Sequence, residues 1–158
     1  MISVVIPTRD QAAGLSETLA SLVTAAVDGL VREVIVADGG SGDATLEIAD
    51  DAGARILRTT AERRLAEGCA AARSDWVLIL PPGRRLSEGW EGGLAAHLSG
   101  GGAKAGFFRG GGLLGARAAL RGVGLLVPRR LIAIGGGFEA GALRLKSSQM
   151  TRLPIRLV

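Results

Sequence analysis

The sequence predicts an α/β fold in which a mostly parallel β-sheet is flanked by helices within a single domain. Two observations carry this. The first ninety residues alternate short apolar runs with helical patterns, the signature of βαβ units. The length of 158 residues, 47% of them hydrophobic and 22% charged, suits one core and leaves little room for a second.

Taken in order, Ile2 to Ile6 is the first strand, stopped by Pro7. Leu15, Leu19, Leu22, Val23 and Ala26 recur at helical spacing and place an amphipathic helix from about Gly14 to Ala26. Glu33 to Ala37 is the second strand. After the turn at Gly39 and Gly40, Asp43 caps a helix that runs to about Ala52 and stops at Gly53. Strand three covers Arg55 to Leu57, a third helix Ala61 to Arg73, and strand four Trp76 to Leu80, which Pro81-Pro82 ends. Beyond it, glycine clusters interrupt every run. The pieces expected there are a helix from Ser87 to Leu98, strands at Ala105 to Arg109 and Val123 to Val127, and a short helix from Arg129 to Ile134.

Composition excludes several function classes. A lone Cys69 rules out an internal disulfide framework, and with the lone His97 it leaves no Cys/His zinc site, so any metal would need carboxylates. Cys69 reads as a small core residue and His97 as structural. The apolar run follows Met1 directly, so no signal peptide is expected and the cytoplasm is the expected compartment. No charge-free stretch reaches the ~18 residues of a spanning helix. Residues 1–91 hold 9 Lys/Arg against 14 Asp/Glu, whereas residues 92–158 hold 10 against Glu139 alone. That basic C-terminal segment suits an anionic membrane surface or a solvated face. With 3% aromatics and no aromatic-basic interleaving, nucleic acid is not an expected partner.

In an open parallel sheet, ligands bind beyond the carboxyl ends of the strands. The residues there are Pro7-Thr8-Arg9-Asp10, Asp38-Gly39-Gly40-Ser41-Gly42-Asp43 and Pro81-Pro82-Gly83-Arg84-Arg85, expected on one rim. Asp38 suits a ribose hydroxyl or base N–H, or equally a turn and helix cap. Thr8 and Asp10 share that ambiguity. Arg84 and Arg85 offer forked donors matched to a diphosphate, or two bland surface charges. Gly110 to Gly115 matches the dinucleotide pattern G-x-G-x-x-G, but a chain with 25 glycines yields such a match by chance roughly 0.6 times, and no acidic residue stands at the required offset.

Ser3 to Thr8, the leucines through Leu22, Glu33 to Thr45 and Ala70 to Leu80 together resemble a family 2 glycosyltransferase of GT-A fold, closest to the subgroup found beside radical-SAM proteins. Thinner echoes recur at Gly124 to Val127 and Gly135 to Glu139. The resemblance implies that residues 1–90 form a nucleotide-binding half and 91–158 a shortened, basic, Gly-rich remainder. It implies that Pro7, Thr8, Asp10, Asp38, Gly39, Gly40 and Ser41 hold the nucleotide of a sugar donor. It also implies Mg²⁺ or Mn²⁺ on an Asp after strand four, but Gly83 stands at that position, so no metal ligand is assigned. Nor does the expected acidic pair follow Glu139. Two main readings stay open: sugar transfer with Arg84 and Arg85 offsetting the leaving diphosphate and Glu139 as base, or a non-catalytic nucleotide-binding or interaction module; a dinucleotide-binding protein built on Gly110 to Gly115, with Arg129 and Arg130 at the offset that suits a 2′-phosphate, is a minor alternative. A homodimer is compatible with either.

Overall fold

The core grows outward from β1 (Ile2–Thr8), which buries Ile2, Val4 and Ile6 on one face and Val5 on the other. A strand buried on both faces requires helices above and below the sheet. The computed structural model, which describes residues 1–100, 104–109, 124–134, 138–139, 142–143 and 147–157, supplies them. On the Ile2 face lie α1 (Ala12–Ala20), α2 (Val23–Val27), α3 (Thr45–Asp51) and α5 (Trp90–Ser99), contributing Leu15, Ala25, Ala49 and Leu94. On the Val5 face lie α4 (Arg64–Ala71), with Cys69 buried and its thiol pushed up to about 12 by desolvation, and α6 (Arg129–Ile134), with Leu131.

The other strands are β2 (Val31–Asp38), β3 (Arg55–Arg58), β4 (Trp76–Ile79), β5 (Ala105–Arg109), β6 (Leu125–Pro128) and β9 (Met150–Arg156), with β7 (Phe138–Glu139) and β8 (Ala142–Leu143) forming a separate hairpin. The sheet order is β3-β2-β1-β4-β6-β5-β9. β2 and β4 flank β1 in parallel, β3 joins β2 in parallel and β9 joins β5 in parallel; β6 runs antiparallel to both its neighbours. The mostly parallel, helix-flanked single domain expected from the sequence is therefore the observed one. Among the described residues, no helix is long and apolar enough to cross a membrane.

Several boundaries differ from expectation, each for a local reason. Pro7 does not stop β1: it pairs with Ala37, and Thr8 pairs with Asp38. Val5 C=O accepts from Leu80 N–H and Thr8 C=O from Gly39 N–H, so odd residues of β1 face β4 and even residues face β2. β4 has ended where Pro7 points, so its missing N–H costs no ladder bond. The single helix expected over 14–26 is two. Ser21 N–H is shared between the carbonyls of Glu17 and Thr18, its hydroxyl donates back to Thr18 at 2.7 Å, and Leu22 N–H bonds Leu19, tightening and ending the first helix. α4 begins at Arg64 because Arg63 and Arg64 N–H close a turn on Thr60 C=O. It then packs so closely that a Cβ on Gly68 would lie 2.6 Å from Val5 Cγ1. α5 begins at Trp90, after a turn in which Trp90 N–H bonds Ser87 C=O.

β9 has no counterpart among the expected strands. It buries Leu153 and Ile155 toward α5 and exposes Arg152, Pro154 and Arg156. Arg156 turns both its N–H and its C=O outward to Ser87, and between Arg152 and Arg156 the pairing with β5 shifts register. At the far end of the strands, Glu33 accepts from Ser3 Oγ at 2.8 Å and Arg73 N–H at 2.7 Å and pairs with Arg55. Burial raises its carboxyl, but these hydrogen bonds and the Arg55 and Arg73 charges hold it below its usual range. His97 meets Trp76 edge to face, ring centroids 5.5 Å apart, with Nε2 3.1 Å from Lys104 C=O.

Candidate functional site

The crossovers run from β1 to β2 to β3 and then return to β4 on the other side of β1, which puts the topological switch point at the carboxyl ends of β1 and β4. Three loops meet at that rim. The loops after β1 and β2 are sewn together: Asp10 N–H donates to Ser41 Oγ at 2.9 Å, Gly42 N–H to Asp10 Oδ1 at 2.7 Å, Gln11 N–H to Thr45 Oγ1 at 3.0 Å and Ala12 N–H to Asp43 Oδ2 at 3.1 Å. Asp10 holds φ at 50°, a left-handed conformation that Asp tolerates better than most residues. Asp43 also receives Thr45 N–H at 3.0 Å and the Thr45 hydroxyl, which ties the start of α3 to α1; the N-cap position itself falls on Ala44, one residue after the expected Asp43. These bonds hold the Asp43 carboxyl below its usual range.

Asp38, at the end of β2, is 1% exposed. Oδ2 accepts Gly40 N–H and Ser41 N–H at 3.0 Å each; Oδ1 accepts the Ser41 hydroxyl and, at 3.4 Å, the Thr8 hydroxyl. Burial raises its carboxyl, but the hydrogen bonds from Ser41, Gly40 and Thr8 outweigh that and hold it below the ordinary range. Four donors fill a carboxylate's capacity. In this conformation Asp38 shapes the turn from inside.

The turn after β4 is built differently. Gly83, at φ 77°, donates its N–H to Gly14 C=O at 2.8 Å, the Thr18 hydroxyl donates to Arg84 C=O at 2.9 Å, and Arg84 N–H closes on Pro81 C=O. Backbone bonds to α1 thus fix the turn, while the Arg84 and Arg85 side chains are exposed with no ion pair among the described residues. The structure therefore brings Pro7, Thr8, Asp10, Asp38, Gly39, Gly40, Ser41, Arg84 and Arg85 to one rim, with α1 as the shared support. Glu139 lies in β7 opposite Ala142, and its side chain is outside the described residues, as are Gly135 to Gly137 and the Gly110 to Gly115 motif.

Sequence reasoning gave no role to the segment before α4, which also reaches the rim. A Cβ on Gly39 would lie 3.0 Å from Ala61 Cα and 3.4 Å from Arg64 Nη1, so the Arg64 guanidinium covers the Gly39 turn. Glu62 is held below its usual range by its own backbone N–H and by Thr60, with the Arg9 and Arg64 charges close by. The signal was Arg63-Arg64 at a helix start, but only the docking of α4 through Gly68 shows which arginine reaches the rim. A Mg²⁺ or Mn²⁺ ion needs clustered oxygen donors. The turn after β4 offers no carboxylate, and no group of three or more potential ligand side chains that could hold an ion occurs among the described residues. The residues present do not fit such an ion there.

Comparison with known proteins bears on the fold that carries this rim. Glucosyl-3-phosphoglycerate synthase from Mycobacterium tuberculosis, solved with Mn²⁺, UDP and glucosyl-3-phosphoglycerate, superposes with a TM-score of 0.70 at 22% identity, over 96% of this chain and 68% of that one. A mycobacterial protein superposes at 0.72 with 24% identity, over 97% and 64%. S. aureus TarS superposes at 0.71 with 16% identity, over 84% and 48%. At these identities the likeness shows a shared GT-A fold. A TPR repeat-containing protein of Synechococcus elongatus is 40% identical over 96 residues, and the chain spans 22% of that relative's length. Residues 3–80, which hold β1 to β4 and every carboxylate of the sewn loops, match the family model described as Glycosyl transferase family 2.

Proposed function

We propose that the rim binds the nucleoside diphosphate of a nucleotide-sugar donor, with arginines in place of a divalent ion. The observation that carries this is the fixed, carboxylate-free turn after β4, which presents Arg84 and Arg85 on the same rim as the sewn loops. Two guanidinium forks match a diphosphate and offset its charge as a leaving group, and Arg64 over the Gly39 turn adds a third. Asp38 acts as a positioning residue: it holds the Gly40-Ser41 turn in shape, and Pro7, Thr8 and the turn form the nucleotide's seat. The relatives solved with UDP support this class of ligand, and the likeness of Ala70 to Leu80 to the radical-SAM-associated subgroup belongs to the same reading. If the sugar is transferred, Glu139 is the base that deprotonates the acceptor. The alternative is a binding module that holds the donor without transferring the sugar, favoured by Gly83 where the resemblance implies a metal-binding Asp.

Titration calorimetry with UDP in EDTA tests the site. Binding is expected without a divalent ion, and Arg84→Ala/Arg85→Ala should weaken it about tenfold or more, the loss of one or two charge-assisted hydrogen bonds. Melting should stay within about 0.5 kcal/mol, because both side chains are exposed. Binding that needs Mn²⁺, or that ignores the double substitution, would sink the arginine assignment. Hydrolysis or transfer of UDP-glucose that Glu139→Gln abolishes supports catalysis; binding without turnover supports the module.

A further inference from the structure

We propose that the groove between α1–α2 and α3 is a docking site for a basic amphipathic helix of a partner protein. The two helical units are tied together at the rim, through Gln11 to Thr45 and Ala12 to Asp43, and lie apart further on. There they leave an open groove of about 470 Å³. Leu19, Leu22, Val23 and Ala26 line one wall, Ile48 the other, and Val34 of β2 the floor, so the sheet itself is reached from outside. Val23 is 58% exposed, and Val27, one turn on, is 81% exposed. Only Met1 otherwise appears among the exposed large hydrophobic side chains of the described residues. Single exposed apolar side chains need no explanation, but two on one helix face beside an apolar groove mark a surface that gains from being covered.

Charge identifies the occupant. Residues 10–54 contain nine Asp and Glu but only Arg32 of opposite sign. Glu17 on α1, Asp28 at the end of α2, and Glu47, Asp50 and Asp51 on α3 are all exposed and have no ion pair among the described residues. Those helices carry no Lys or Arg at all. An apolar groove bordered by Asp51, on helices whose exposed charges are all acidic, suits a helix with one apolar stripe and flanking Lys or Arg, which would set its stripe between two helices as a third ridge. The same acidic helices repel an anionic lipid surface.

The test uses the full chain and a fluorescein-labelled Leu/Lys amphipathic peptide of about 18 residues, long enough to hold helix, with a Leu/Glu peptide of the same pattern as control. Anisotropy should show saturable binding of the Leu/Lys peptide and at least tenfold weaker binding of the control. Val23→Asp is the deciding variant, because it adds negative charge to the groove while leaving the core intact. Docking in the groove predicts at least tenfold weaker binding with an unchanged melting curve, and Asp50→Lys/Asp51→Lys should weaken it as much. Absent binding, or binding that Val23→Asp leaves unchanged or strengthens, would overturn the proposal. So would concentration-dependent self-association abolished by Val23→Asp, which would assign the groove to a second copy.

Discussion

The two halves of the rim use charge in opposite ways. After β1 and β2, the carboxylates of Asp10, Asp38 and Asp43 are spent on the chain's own N–H and hydroxyl groups, and those bonds are what hold the loops. After β4, backbone bonds to Gly14 and Thr18 hold the turn, and its two guanidinium groups form no ion pair among the described residues. A charged side chain that a loop needs for its shape is poorly placed to meet a ligand, whereas one on a loop fixed by its backbone is free to do so. The contrast separates residues whose loss damages folding from residues whose loss damages binding alone.

The sharpest way to break this contrast is Asp38→Ala. It removes the acceptor of two partly buried backbone N–H groups and two hydroxyls, so thermal or urea unfolding should show a loss of about 2 kcal/mol. A variant as stable as the parent would mean that the turn does not depend on the carboxylate. Acid offers a gentler version. Asp38 and Glu33 titrate below their ordinary values of 3.8 and 4.5 in the folded chain, so their stabilisation is complete above those values and is lost as pH falls through the lower folded ones. Urea unfolding followed from pH 6, above both ordinary values, down to about pH 3 should lose on the order of 1 to 2 kcal/mol at the acid end. A flat profile would contradict the hydrogen-bonded carboxylates. The smallest effect is expected from Gly83→Asp, which places a carboxylate on the backbone-held turn. A side chain at φ 77° costs about 1 kcal/mol, measurable by melting, and one carboxylate alone should give no Mn²⁺ binding by calorimetry. Tight Mn²⁺ binding would show that the rest of the ion's ligands were already in place.

How far the sequence could be read depended on whether a feature is local. β1 to β4 and their helices declare themselves through spacing, because each buries a periodic face. β9 does not: its alternation of Arg152, Leu153, Pro154, Ile155 and Arg156 is that of a strand with one buried face, but Pro154 argues against a strand unless it is known to lie on an edge. Pro7 misleads for the same reason, since only the end of β4 makes its missing N–H harmless. Thr8, Asp38, Ser41, Arg84 and Arg85 are expected together from their places at strand ends, and the order of the strands sets those ends side by side. The saturation of Asp38 and the reach of Arg64 are not legible, because each depends on partners brought together by packing.

Pro154 also bears on how the chain behaves at high concentration. A sheet that ends in an open strand invites another strand to template on it, and repetition of that step builds fibrils. In β9, the edge strand among the described residues, the Pro154 ring nitrogen leaves the backbone one donor short, exposed Arg152 brings a charge that a stacked copy would set against its own like, and Ser87 already occupies Arg156. Growth by strand addition on β9 is therefore opposed by a missing donor, by exposed charge and by an edge position already bonded to Ser87.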